Sequence, residues 1–302
     1  SDFSAEDVSF SLDRPATLAA SPGPFTGFVK PIVSKTIIDP WTIRLKTATA
    51  YAMLPYDLNS IFIVSKKVAS GATTEDFNSG KAAIGTGPYK LVRFARGNRI
   101  ELAGNDAYWG GKPAWSAVTL RILHADTSRI AALLAGDVDA IENIPTADLT
   151  RLKTNANLRL EQKVSWRTLF LHMDQYRDQP PRLTDKSGKP LAKNPFMDAR
   201  VRLAVSKAIN RPAIVERVME GFAIAAGNLV SPPVFGHVDA LKAESYEPEA
   251  AKKLLAEAGY PDGFAITLHA PNDRYVNDDQ VAQAVAQMLA RVGIQVKVET
   301  MP

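Results

Sequence analysis

Three clusters of turn and helix-cap residues between positions 85 and 141 restrict the fold of this chain more than any other feature. They read GTGPY at 85–89, NDAYWGGKP at 105–113 and LLAGDVDAI at 133–141. Glycine, proline, asparagine and aspartate favour turns and helix ends, and here they separate short apolar runs. The region is therefore predicted to fold as short strands and helices in close succession.

The first of these elements form a predicted hairpin. Residues 89–94 and 99–103 alternate apolar and polar side chains, as half-buried strands do. Gly97 and Asn98 lie between them, and both residue types tolerate the positive φ of a tight turn. A third alternating strand is predicted at 118–123.

A helix and a further strand follow. Ile130, Leu133 and Leu134 recur at helical spacing within 127–135, and Gly136 is placed to end the helix. Residues 139–141 then form a predicted short strand. The order strand, helix, strand is typical of an α/β lobe.

The N-terminal part has a different pattern. Residues 4–14 predict a helix capped by Ser4, with Asp7 at its third position and Leu12 on its apolar face. A loop is predicted at 15–35, a strand pair at 35–46 broken at Asp39-Pro40, and a short apolar strand at 60–64. A domain boundary is expected near residues 80–84.

The second half of the chain alternates between strands and helices. Its predicted strands lie at 166–173, 265–269 and 293–300. Its predicted helices, bounded by Asp, Pro or Gly caps, lie at 198–209, 211–220, 248–258 and 278–292. This region is therefore also expected to be α/β.

Composition excludes several classes of protein. With 46% hydrophobic and 23% charged residues, the 302-residue chain is globular, and its apolar runs are too short to span a membrane. The 36 basic residues are dispersed among 32 acidic ones, so no nucleic-acid partner is predicted. There is no cysteine, which excludes disulfides and thiol chemistry within these residues.

A search for catalytic groups gives no candidate. The four histidines lie far apart without ligand spacing, no serine sits in a GxSxG elbow, and GTG at 85–87 lacks the remainder of a phosphate loop. The carboxylate pairs Asp137/Asp139 and Asp278/Asp279 are expected to face water. No catalytic residue, metal site or cofactor is predicted.

Two longer motifs complete the pattern. They are DARVRLAVSKAINR at 198–211 and YEPEAAKKLLAEAGYP at 246–261. Together with the clusters at 85–141, and in this order, they resemble the bacterial extracellular solute-binding proteins of family 5, which serve peptide and nickel ABC importers. The similarity extends over the whole chain.

The resemblance implies a periplasmic-binding-protein type II fold, with two α/β lobes joined by a hinge and a small extra domain. It divides the chain into the extra domain (1–82), part of lobe I (83–172) and part of lobe II (173–302), with the hinge at 171–174. In relatives the chain begins before Ser1 and continues beyond Pro302. The sequence is accordingly expected to be a central portion, with no signal peptide among its residues.

The same resemblance implies a periplasmic, monomeric protein that captures a peptide-like or other small polar solute and delivers it to the permease subunits of an ABC importer. It implies no enzymatic activity. Two alternatives remain open: a hydrolase or transferase whose catalytic residues lie outside these 302 residues, and a chaperone-like peptide binder.

Candidate ligand-binding residues lie in two places. Arg274, with Asp273 and Tyr275, follows the predicted strand 265–269, where α/β lobes bind ligands. In dipeptide-binding relatives an arginine of the matching loop contacts the ligand carboxylate. Trp166 and Arg167 form a second pair, since an indole covers a ligand and a guanidinium binds carboxylates. The alternatives are a solvated Arg274 and a Trp166 packed in the core; the acid that binds the ligand amine in relatives lies beyond Pro302.

Overall fold

The computed structural model of this protein describes residues 2–18, 23 and 25–302. The chain forms two compact units, Ser1–His124 and Ala125–Pro302, each defined by the contacts among its own residues. The predicted boundary between residues 172 and 173 lies inside the second unit. The division into an extra domain and two lobes stays a prediction.

Helix α1 (Ala5–Thr17) begins at the predicted cap. The Ser4 N–H donates to Asp7 Oδ2 at 2.8 Å, and the Lys66 N–H donates to Asp7 Oδ1 at 2.7 Å. Burial raises the pKa of Asp7, but these hydrogen bonds outweigh burial and leave it below its ordinary value. The cap thus joins the start of α1 to the start of α4 (Lys66–Ala69).

A hairpin of β1 (Ile32–Asp39) and β2 (Thr42–Thr47) confirms the predicted strand pair. The predicted loop at 15–35 is wrong at both ends, since α1 continues to Thr17 and β1 begins at Ile32, and it also contains α2 (Thr26–Val29). Residues 19–22 and 24 of that loop lie outside the described residues.

The predicted strand at 60–64 is wrong. This segment connects α3 (Leu54–Leu58) to α4 without strand pairing, and α5 (Thr74–Asn78) follows. The Val64 N–H donates to Ser11 Oγ of α1 at 3.0 Å, and Phe62 is 85% exposed. A side-chain partner on a helix therefore replaces the strand ladder that the apolar run predicted.

The hairpin at 89–103 is confirmed. Strands β3 (Tyr89–Ala95), β4 (Arg99–Gly104) and β5 (Ala117–Arg121) form an antiparallel sheet in that order. Gly97 has φ +71° in the connecting turn, a conformation that glycine adopts without steric cost.

In the second unit, α6 (Asp126–Leu134) confirms the predicted helix, and Gly136 follows it with φ +76°. The predicted strand at 139–141 is wrong, because this segment has no strand neighbour among the described residues. It leads instead to α7 (Thr146–Lys153). The predicted strand–helix–strand unit is absent here.

The strand predicted at 166–173 is wrong, because these residues form no strand in the structure. Leu171 and Met173 pack against the core, whereas Trp166 and Phe170 are 81% and 61% exposed. Side chains therefore alternate between core and solvent only at 171–173, and within the described chain no neighbouring strand accepts the hydrogen bonds of this segment.

The remaining elements surround a three-stranded sheet in the order β6 (Leu183–Thr184), β7 (Ala265–Pro271) and β8 (Gln295–Met301). Strands β7 and β8 are parallel, with Ala265 opposite Gln295, and α11 (Asp278–Ala290) connects them. The predicted helices are confirmed as α8 (Ala199–Ala208), α9 (Arg211–Arg217), α10 (Pro248–Glu257) and α11.

The core of this unit lies between the sheet and these helices. Phe264 is fully buried, and its ring meets those of Tyr260 and Phe196 edge-on at 5.4 and 5.9 Å. Val201 and Leu255 contribute the buried faces of α8 and α10. No helix among the described residues is long and apolar enough to cross a membrane.

Candidate ligand-binding site

The candidate loop, residues 272–277, connects the end of β7 to the start of α11. The Asn272 N–H donates to the carbonyl oxygen of Met301 on β8 at 3.1 Å. The loop is therefore anchored at the carboxyl ends of two parallel strands, where open α/β sheets bind ligands.

A buried carboxylate sets the shape of this loop. Asp278, which is 4% exposed, accepts the N–H groups of Arg274 and Tyr275 on Oδ2 at 3.1 and 3.0 Å. Its Oδ1 accepts the N–H of Asp279 at 3.0 Å. The expectation that Asp278 faces water is wrong, because its oxygens accept two backbone N–H groups of the loop and one of the first turn of α11.

Asn277 fixes the other side of the loop. It has φ +54°, in the left-handed region that asparagine tolerates. Its side-chain Nδ2 donates to Thr146 Oγ1 and to the carbonyl oxygen of Val218, both at 2.8 Å. The loop is thus attached to the first residue of α7 and to the end of α9.

Three of the five predicted site residues lie together. The Arg274 Nε donates to Tyr275 Oη at 3.1 Å, and the Arg274 guanidinium lies 5.6 Å from the Tyr275 ring centroid. The Arg167 guanidinium lies 5.8 Å from the same centroid. Both distances are within cation–π range, so the half-buried ring orients two exposed guanidinium groups.

These two charges are not neutralised within the described residues, where neither guanidinium forms an ion pair with a carboxylate. Arg182 shows the contrast, because it pairs with Glu299 on β8, which Lys297 also contacts at 2.8 Å. The hydrogen bond from Lys297, and then that from Arg182, lower the pKa of Glu299 to about 2. The cluster of Arg167, Arg274 and Tyr275, by comparison, is available to an anion.

The other two predicted residues lie beside this cluster without joining it. Asp273 is exposed next to Arg274 in the loop. Trp166 is 81% exposed, so its alternative assignment to the core is wrong, and its ring makes no aromatic or cation contact in the described part of the chain. Both remain predicted ligand residues on position alone.

Sequence reasoning did not identify Asp278, Asn277 and Thr146 as residues that position the site. The signal was available for Asn277 and Asp278, since Asn-Asp at a helix start is a capping pattern. Thr146 gives no such signal, because its partner is 131 residues away along the chain.

Metal and catalytic groups remain unassigned. No group of three or more His, Asp or Glu side chains able to hold a metal ion is present among the residues described. Asp137 and Asp139 are exposed, as expected. His269 contacts Arg182 at 2.8 Å and Glu299 at 3.2 Å, which assigns it to the charged surface of the sheet.

Comparison with known proteins agrees with this fold. The family of bacterial extracellular solute-binding proteins, family 5 middle, matches residues 1–302. The glutathione-binding protein GsiB of Escherichia coli K12 is 29% identical over 303 residues, covering 99% of this chain and 55% of the relative. The dipeptide-binding protein of the same strain is 29% identical over 320 residues, covering 99% and 56%.

A solved structure supports the fold. The periplasmic binding protein DppA from Helicobacter pylori, in complex with the peptide STSA, is 27% identical with a TM-score of 0.78. The match covers 100% of this chain and 58% of that protein. The architecture is that of a periplasmic-binding protein of type II.

The chain belongs to the bacterial extracellular solute-binding proteins of family 5. It spans about half the length of the curated relatives that it matches, 55% and 56% for the two described above.

Proposed function

We propose that this chain is the central part of the periplasmic solute-binding component of an ABC importer. It captures a peptide-like or other small polar solute in a cleft between two lobes and closes around it by a hinge at 171–174. The family membership supports this proposal. The closed, liganded form is then the form that the membrane permease recognises.

The observation that carries the proposal is the pair of unneutralised guanidinium groups at Tyr275. The Arg274 and Arg167 guanidinium groups lie 5.6 and 5.8 Å from the ring centroid of Tyr275, which is in the loop at the carboxyl end of β7. Guanidinium groups bind carboxylates through charged, often paired hydrogen bonds. An aromatic ring beside them provides apolar contact for the body of the solute.

The proposed ligand is therefore a solute with at least one carboxylate. Glutathione, dipeptides and the peptide STSA, which appear in the names of the similar proteins, all have this group. Arg274 is proposed to bind the carboxylate, with Arg167 and Tyr275 beside it and Asp273 and Trp166 at the rim. The acid for a ligand amine is expected in the chain beyond Pro302.

The remaining assignments follow from the same role. The protein is proposed to be periplasmic and monomeric, to interact with permease subunits and to have no catalytic activity or nucleic-acid partner. The family consists of solute-binding proteins, which supports capture without turnover.

The experiment is native mass spectrometry of the full-length protein, isolated from the periplasm without denaturation, before and after acid release. We expect a discrete released mass that carries a carboxylate and that rebinds with 1:1 stoichiometry. An Arg274→Ala protein isolated in parallel should carry much less of this solute. A bound solute without any acidic group, or hydrolysis of the released solute on re-addition, would contradict the proposal.

A further inference from the structure

The amide of Asn277 connects parts of the chain that are far apart in sequence. Its Nδ2 donates both hydrogens at 2.8 Å, one to Thr146 Oγ1 and one to the Val218 carbonyl oxygen. Asn277 precedes α11 with a left-handed backbone, φ +54°, and its side chain makes no capping hydrogen bond to that helix. An amide with both hydrogens in good bonds is held in one orientation.

The two acceptors differ in the part of the protein to which they belong. Val218 directly follows α9 and lies, like Asn277, in the predicted lobe II, residues 173–302. Thr146 begins α7 and lies in the predicted lobe I, residues 83–172. The bond to Val218 therefore shapes the loop within one lobe, whereas the bond to Thr146 crosses the predicted hinge.

Thr146 is buried at the point of this contact. Its side chain is buried, with the residue 3% exposed, so its hydroxyl depends on protein partners for hydrogen bonding. If the lobes separated, the Asn277–Thr146 bond would be lost and water would have to replace it on both sides. The bond can therefore exist only when the two segments are together.

A second contact crosses the same predicted boundary. The Arg167 guanidinium, in the predicted lobe I, lies 5.8 Å from the Tyr275 ring, in the predicted lobe II. Tyr275 is two residues from Asn277, and Asp278 holds its N–H at 3.0 Å. A single loop thus carries both crossing contacts, and a buried carboxylate fixes its backbone.

We propose that Asn277 and Thr146 are positioning residues that hold the closed arrangement of the ligand site. Their hydrogen bond stabilises the state in which Arg167 and Arg274 share the Tyr275 ring, and it does so without touching the solute. This inference rests on the proposed function and adds the residues that control closure.

The test measures closure directly on the full-length protein without added ligand. The 302 residues contain no cysteine, so nitroxide labels can be attached at Lys153→Cys and Lys253→Cys, after any cysteine elsewhere is replaced by serine. Lys153 ends α7 and Lys253 lies on α10, and both are exposed. Pulsed dipolar spectroscopy then gives the ratio of short to long label distances.

We expect Thr146→Val, which removes the hydroxyl at constant shape, to lower that ratio about two- to twelvefold, the range for one net hydrogen bond. Thr146→Ser keeps the hydroxyl and should restore it. Asn277→Gly keeps the left-handed backbone and should lower the ratio as Thr146→Val does. The double variant should lower it little further, because both substitutions remove the Asn277–Thr146 hydrogen bond.

Two outcomes would overturn the inference: identical distance distributions in Thr146→Val and the parent protein, or an equal change in Thr146→Ser and Thr146→Val. Because no solute is needed, the result is independent of ligand capture. The two proposals can therefore fail separately. If Thr146→Val shifts the distance distribution but the protein releases no solute in native mass spectrometry, the closure contact is supported and the proposed function is rejected.

Discussion

The buried carboxylate of Asp278 accepts the backbone N–H of Tyr275 at 3.0 Å. The ring whose position this bond fixes is the one that both Arg167 and Arg274 approach. A residue that is itself 4% exposed therefore determines the arrangement of exposed groups that are proposed to bind solute.

Arg274→Ala should weaken binding of a carboxylate solute by roughly 1.5 to 3 kcal/mol, the range for hydrogen bonds to charged groups. The measurement is calorimetric titration of the full-length protein with the solute found by native mass spectrometry. Arg182→Ala is the matched control, since Arg182 is also exposed but pairs with Glu299. Equal affinities of the Arg274→Ala and parent proteins would remove Arg274 from the site.

Asp278→Ala should lower the free energy of unfolding by about 1 to 3 kcal/mol, because it leaves the backbone N–H groups of Arg274, Tyr275 and Asp279 without their acceptor. It should also reduce solute affinity, since the loop at 272–277 loses its shape. Urea denaturation and calorimetry provide the two values. Asp279→Ala is the neighbouring control, and an effect as large as that of Asp278→Ala would show that helix-start charge alone is responsible.

Phe264→Ala should cost about 3 to 5 kcal/mol of unfolding free energy, because it opens a cavity in the fully buried core of the second unit. Trp166→Ala removes a larger ring that is 81% exposed and should change stability by less than about 0.5 kcal/mol. Comparable losses for the two variants in urea denaturation would be inconsistent with this core.

Asp198 should make stability depend on acid pH. The hydrogen bonds from Arg200 lower the pKa of Asp198 from 3.8 to about 2. A lowered folded-state pKa stabilises the protein above the ordinary value, and this contribution is lost as the pH falls from about 4 toward about 2.

The check is denaturation of the parent and of Asp198→Asn between pH 5 and pH 2. Asparagine still caps α8 but does not titrate, so the difference between the two proteins should shrink as the pH falls. A difference that stays constant across this range would contradict the assignment.

Sequence patterns predicted local structure well where caps and apolar periodicity agree. The four helices of the second half begin within one residue of prediction, because Asp198, Pro248 and their equivalents are local signals. The strands predicted at 60–64, 139–141 and 166–173 are absent, because a strand requires a partner that its own residues do not specify.

The candidate site was predictable to a similar extent. Position after β7 indicated Arg274 and Tyr275, and Arg167 was identified as a residue able to bind carboxylate. Their meeting at one ring depends on tertiary packing between segments more than 100 residues apart. Thr146 has no local signal, since its importance arises only from the approach of Asn277.

The two guanidinium groups at Tyr275 also bear on the speed of binding. Two positive charges lie beside one ring, and no carboxylate among the described residues pairs with either, so they raise the positive potential around Tyr275. An anionic solute should then associate faster at low ionic strength, with the attraction screened beyond roughly 10 Å at 0.1 M salt. The same ring that orients the arginines would thereby make the rate of the proposed solute capture sensitive to the salinity of the surroundings.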